Sequence, residues 1–319
     1  MPDPIAAYLA QRPAIVLDGA LATELERRGA DLADPLWSAR CLLERPELIR
    51  AVHLDYFAAG ADIATTASYQ ASFEAFAARG ITADRAAALL RESVALAVGA
   101  RDEFWADPAN RPGRPRPLVA ASIGPYGAVL ADGSEYRGDY RLSDAALADF
   151  HRARFRVLAE SDADLLACET IPCLREAVAL ARALEEFPGR CAWISFACRD
   201  GRHNGEGEDI GDCVSRLEEF PQIAAVGINC TAPQFVTPLL DRMRPRTTKP
   251  LLAYPNSGET YDACAKKWVG AAVSAALGAQ ARDWYAHGAR LIGGCCRTTP
   301  ADIRAVAAAL ACPARLNAR

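Results

Sequence analysis

Near the C-terminus, Leu291-Ile292-Gly293-Gly294-Cys295-Cys296-Arg297-Thr298-Thr299-Pro300 holds the residue types most able to do chemistry. A short apolar run ends in two glycines, two adjacent thiols and a Thr-Thr-Pro turn suited to a helix start, which places the thiols where a strand hands over to a loop. Adjacent cysteines can serve one centre only if the backbone bends sharply, and the glycines are expected to permit that bend and a close approach. A third thiol, Cys230, follows another apolar run in Gly227-Ile228-Asn229-Cys230-Thr231.

Three thiolates suit a tetrahedral zinc ion with one position left open, whereas structural zinc sites close with four protein ligands, often in Cys-x-x-Cys knuckles. The chain has no Cys-x-x-Cys and no His-Glu-x-x-His. A zinc ion held by three thiolates is a poor Lewis acid for hydrolysis, but it can deprotonate a substrate thiol and leave the sulfur nucleophilic. The chemistry this suggests is attack of a bound thiol on an electrophilic carbon, with displacement at a methyl group needing alignment and a cationic leaving group more than a general base. His53, His151, His203 and His287 lack ligand spacing and are assigned surface or capping roles.

The elements that must position these thiols alternate in type. Apolar runs at 14–17, 62–66, 118–123, 164–168, 191–196, 223–228, 251–254 and 289–292 read as eight short buried strands separated by helical patterns. Eight such units predict a single (β/α)8 barrel over residues 1–319, in which Cys230, after the sixth strand, meets Cys295 and Cys296, after the eighth, on one rim. The alternative, a doubly wound sheet, lacks its nucleotide signature: Gly205, Gly207 and Gly211 are interleaved with Glu206, Glu208 and Asp209, which would repel a pyrophosphate, and read as a solvated loop. The polar segment 126–140 reads as a lid or surface loop.

Composition narrows the function classes. The net charge is -4, with 36 basic residues scattered among 40 acidic ones, which argues against nucleic acid or an anionic membrane as partner and for small-molecule substrates. No secretory signal or bilayer-length apolar run is visible, and eleven cysteines, an odd number, read as reduced thiols of a cytoplasmic protein. Cys41, Cys173, Cys191, Cys198, Cys213, Cys264 and Cys312 are assigned structural roles as small hydrophobes.

Leu17-Asp18-Gly19-Ala20, Gly227-Ile228-Asn229-Cys230-Thr231 and Gly293-Gly294-Cys295-Cys296 together resemble the zinc-dependent homocysteine S-methyltransferase family, in the same order and over nearly the whole chain. The resemblance implies a (β/α)8 enzyme that methylates the zinc-bound thiolate of homocysteine to give methionine, with Cys230, Cys295 and Cys296 as zinc ligands. It further implies that Asp18 and Glu169 hold the homocysteine amino group and that Thr66 and Asn229 line the site. A carboxylate at a strand end can serve a buried ammonium; a helix N-cap for Asp18 and a turn role for Glu169 are the structural alternatives. Tyr254-Pro255-Asn256-Ser257-Gly258-Glu259 is similar to the short, free-standing members that use S-methylmethionine or S-adenosylmethionine, for which Tyr69, Tyr254 and Glu259 are candidate contacts to the sulfonium, with turn roles as the alternative. Two other functions compete: a thiol redox protein cycling a Cys295–Cys296 disulfide, and a non-catalytic barrel-shaped binding protein.

Overall fold

The computed structural model describes residues 3–31, 38–262, 267–269 and 277–311. The apolar runs form strands β1 Ile15–Val16, β2 Ile63–Thr65, β3 Leu118–Ile123, β4 Leu165–Ile171, β5 Ala192–Phe196, β6 Ile223–Asn229 and β7 Leu251–Tyr254. A short antiparallel hairpin, β8 Thr260–Asp262 and β9 Lys267–Val269, precedes β10 Ala289–Ile292. The eight barrel strands pair in parallel in the order β1-β10-β7-β6-β5-β4-β3-β2. The two ends of that order meet through a parallel bridge between Leu17 and Ile63, with Asp62 N donating to Val16 O at 2.7 Å and Asp18 N to Ile63 O at 3.1 Å. This closure makes the sheet a (β/α)8 barrel, as the alternation of elements predicts.

Side chains alternate across the barrel wall with the period of two that a strand imposes. Leu165, Ala167, Trp193, Ala225, Leu252 and Tyr254 belong to the interior cluster, while Leu166, Cys168, Ile194, Val226 and Ala253 join the shell beneath the helices. The N-terminal helix Pro4–Leu9, not foreseen from sequence, adds Ile5 and Tyr8 to the interior cluster beside Leu118, Cys191 and Ala224 at the strand starts. It therefore plugs the end of the barrel opposite the cysteines. The Tyr8 hydroxyl donates to the buried Asp62 at 2.7 Å, so this plug leaves neither polar group unsatisfied.

Several local expectations change. Segment 126–140, expected as a lid or surface loop, carries regular structure, a helix Tyr126–Leu130 and a 3-10 turn Ser134–Tyr136, with Ser134 and Glu135 buried. The glycine-bearing loop is partly buried beneath it, and a Cβ on Gly205 would come within 2.6 Å of Tyr136 O. His53 and His151 are fully buried. Burial lowers the His53 pKa to about 4, keeping the ring neutral, whereas His151 sits between Glu176 at 2.8 Å and Arg154 at 2.9 Å. His203 and His287 do lie in partly exposed positions, beside Asp200 and Asp241. Cys264 and Cys312 lie outside the described residues. No helix among the described residues is long and apolar enough to cross a membrane.

Candidate functional site

The C-terminal ends of β6 and β10 bring Cys230, Cys295 and Cys296 together, their sulfurs all within 4.8 Å of one another. Cys230 Sγ and Cys296 Sγ stand 3.4 Å apart. The bend that aims these sulfurs is not made by the glycines. Cys230 itself adopts left-handed backbone geometry (φ 46°), as does Arg297 (φ 69°), a strained state for a residue with a Cβ. Gly293 and Gly294 serve the close approach instead: a Cβ on Gly293 would fall 2.6 Å from Leu17 Cβ, and one on Gly294 2.3 Å from Thr298 Oγ1. Thr298 in turn donates to Cys295 O at 2.6 Å and accepts from Ala20 N at 3.3 Å, pinning the thiol turn to the end of β1.

Another left-handed residue, Thr170 (φ 61°), shapes the end of β4, where the pairing with β5 slips between Cys168 and Ile171. Asn229 stabilises this bulge, accepting from Thr170 N at 2.6 Å and donating to Thr170 Oγ1 at 2.7 Å, with its amide 3.8 Å from Cys295 Sγ. Glu169 follows Leu165 and Ala167 on the inward face, so it lies within β4 rather than in a turn after it. It accepts from the Ser122 hydroxyl and, at 3.1 Å, from the Tyr254 hydroxyl. Burial raises its pKa to about 7, with Cys295 adding to the rise.

Asp18 does not cap the helix that follows. The N-cap of Leu21–Arg27 is Ala20, and Asp18 accepts from Thr65 N at 2.8 Å and from the Thr65 hydroxyl at 3.2 Å. Its carboxyl is pushed well above the usual carboxylate range, first by burial and then by the charge of Glu169, against the help of Thr65. Two carboxyl groups thus face one interior without a described basic side chain between them. Burying both as carboxylates is costly unless a compact cation lies between them.

The remaining sequence candidates divide. Tyr254 joins Glu169 in the barrel, where its hydroxyl also contacts Ser195 at 2.6 Å and Trp193 Nε1 at 3.1 Å. Tyr69 packs over Gly124, and burial holds its hydroxyl pKa well above the usual range, with Thr170 opposing the rise. Thr66 turns its hydroxyl to Ser68 at 2.7 Å and Ser122 N at 3.0 Å, supporting the strand that carries Ser122. Glu259 lies at the rim, taking Ser257 Oγ at 2.7 Å and Arg297 Nε at 3.1 Å. The sequence reading missed Ser122, Ser195 and Trp193, which the two-residue period of β3 and β5 could have placed facing inward. It also missed Tyr136, whose hydroxyl lies 3.3 Å from Cys230 Sγ, because no sequence period reports how an irregular segment folds across a barrel mouth.

The sulfur cluster has the charge pattern of a cation site. Hydrogen bonds from Cys295 and Cys296, helped by Tyr136, hold the Cys230 thiol well below its ordinary range against burial. The same bonding pushes the Cys295 and Cys296 thiols up. With protein groups alone, ionisation of one sulfur therefore opposes ionisation of its neighbours; a soft divalent cation would allow all three to ionise. The donor set fits such an ion.

A sequence profile of the homocysteine S-methyltransferase family matches residues 15–310. The chain belongs to the homocysteine S-methyltransferase family. A Bacillus subtilis homocysteine S-methyltransferase, YbgG, is 57% identical over 306 residues, covering 96% of this chain and 97% of that protein. A selenocysteine Se-methyltransferase from Brassica oleracea is 48% identical, covering 91% of this chain and 87% of its own length. The crystal structure of the homocysteine methyltransferase MmuM from Escherichia coli, in a metallated form, superposes with a TM-score of 0.85 at 50% identity, covering 96% of this chain and 99% of that one. Family membership and the fold thus agree with what the three motifs imply.

Proposed function

We propose that this protein is a zinc-dependent homocysteine S-methyltransferase that moves a methyl group from a sulfonium donor, S-methylmethionine or S-adenosylmethionine, to the sulfur of homocysteine, giving methionine. The observation that carries this reading is the convergence of three thiols on the barrel mouth that also holds the buried carboxyl groups of Asp18 and Glu169. Cys230, Cys295 and Cys296 would hold the zinc. When bound, the ion supplies a Lewis-acidic position for the substrate sulfur and lowers the pKa of its thiol.

The chain's own residues do the rest. Asp18 and Glu169 receive the homocysteine ammonium, which relieves the cost of burying both carboxylates and fixes the amino-acid end of the substrate. Ser122 and Tyr254 fix the rotamer of Glu169, and Asn229 locks the bulge that aims it. The substrate thiol loses its proton to solvent on binding. Its sulfur then attacks the methyl carbon, the bond from that carbon to the sulfonium breaks, and the electron pair stays on the departing sulfur as a neutral thioether. Collapse of the donor's positive charge makes the transfer favourable without a general base.

Methionine formation from homocysteine, assayed with each donor in turn on the zinc-loaded protein, tests the assignment. Turnover with at least one sulfonium donor is expected, and none with any of them would overturn the donor reading. The competing redox reading invokes a Cys295–Cys296 disulfide, whereas the structure gathers all three sulfurs within 4.8 Å, with Cys230 and Cys296 at 3.4 Å. Protein purified without chelator should carry zinc; a metal-free protein with a reversible disulfide would favour redox chemistry instead.

A further inference from the structure

The cysteine cluster faces two differently built walls. On the barrel side, Asp18, Glu169 and Tyr254 all feel the charge of Cys295. On the other side, the turn Ser134–Tyr136 comes across the mouth, with the Tyr136 hydroxyl on Cys230 Sγ at 3.3 Å. That turn is held in place from beneath: a Cβ on Gly127 would strike Glu135 N at 2.4 Å, and Gly127 N donates to the Tyr140 hydroxyl at 3.1 Å.

Glu135 on this turn is only 9% exposed, and no donor among the described residues reaches its Oε2. Glu135 immediately precedes Tyr136, whose hydroxyl touches Cys230 Sγ, and among charged groups it comes before Cys230 and Glu169 in raising the pKa of the Tyr69 hydroxyl. Burial raises the Glu135 pKa to about 7, and neighbouring groups offset that only in part. Asp132 is a like charge beside it, and Arg137 is a half-exposed side chain paired with Asp139 at 3.5 Å. A buried carboxylate with an unpartnered oxygen, one residue from the tyrosine that touches Cys230, is costly unless a cation meets it.

We propose that Glu135, flanked by Tyr69 and Tyr136, is the binding site for the positively charged sulfur of the methyl donor. The inference rests on the sulfonium reading above and deepens it. The two substrates present different cations: homocysteine offers an ammonium that donates hydrogen bonds, which suits the bonded carboxyls of the barrel wall. A sulfonium donates no conventional hydrogen bond and is held by an anion and by aromatic faces, which is what the covering turn provides. Placing the donor on the covering turn and the acceptor on the barrel wall also sets the methyl group between the two sulfurs, the alignment that displacement requires.

The test is steady-state kinetics of the zinc-loaded Glu135→Gln enzyme with S-methylmethionine, at saturating homocysteine, beside wild type. Loss of a buried charge interaction should raise the donor KM by about tenfold or more. The homocysteine KM and the zinc content should stay within twofold of wild type, as should the inhibition constant of methionine, a thioether without the positive charge. Glu135→Asp, which keeps the charge on a shorter arm, should recover part of the donor affinity. An unchanged donor KM in Glu135→Gln, or an equal weakening of methionine, overturns the assignment. If wild type turns over no sulfonium donor, the parent reading fails; if wild type is active and Glu135→Gln is indistinguishable from it, only the role of Glu135 fails.

Discussion

Glu169→Gln should separate the cost of the site from its use. The native carboxyl is buried, and its pKa rises from 4.5 to about 7. Above pH 7 the folded protein therefore carries a charge that the unfolded chain accommodates more cheaply. A shift of this size corresponds to roughly 3 kcal/mol of destabilisation of the folded state. Glutamine keeps the shape, and its carbonyl can still accept from Tyr254, so the neutral variant should be the more stable by up to about 3 kcal/mol at pH 8. The sign follows from the raised pKa. As pH falls from 7 towards 4.5 the folded protein takes up a proton that the unfolded chain does not, wild type recovers the loss, and the advantage of the variant disappears. Urea unfolding of metal-free, reduced protein across this range measures the difference. The same substitution removes the charge proposed to receive the ammonium, so the homocysteine KM should rise by roughly 10- to 100-fold while zinc stays bound. Equal stability at pH 8 together with an unchanged homocysteine KM would refute both the burial argument and the role of the carboxylate.

Cys230→Ser should reduce the bound zinc from about one ion per chain to near zero by elemental analysis, with turnover lost in step. Gly294→Ala forces a methyl group into buried Thr298, whose hydroxyl holds the Cys295 carbonyl; a loss of about 1–3 kcal/mol in denaturant unfolding and weaker zinc binding against a chelator are expected. Asn229→Ala leaves the Thr170 amide without its partner in a left-handed bulge, and should cost about 2 kcal/mol and raise the homocysteine KM through misplacement of Glu169. A stability loss without any change in that KM would show that the bulge does not position the carboxylate.

Reading the chain from its residues reaches far here because the decisive signals are local. Three thiols at the ends of apolar runs, and eight runs short enough to be buried strands, are properties of composition and period. They define the barrel and the rim positions of Cys230, Cys295 and Cys296 before any contact is known. Glu169 is named through the family resemblance, and its place inside β4 depends on a bulge. That bulge comes from a left-handed Thr170 held by Asn229 from another strand, a bond between residues 59 positions apart.

What only the tertiary structure decided is which groups meet across sequence distance. Tyr136 and Glu135 belong to a polar stretch that reads as a lid or surface loop with no residue singled out, and His53 and His151 carry no sign of their burial. Each owes its environment to packing between elements that no single-segment pattern encodes. The pair of glycines beside the thiols shows the difference most directly. Sequence marks that small residues are needed at Gly293 and Gly294. The fold shows why: Leu17 and Thr298 occupy the space a side chain would take, while the bend itself is carried by Cys230 and Arg297.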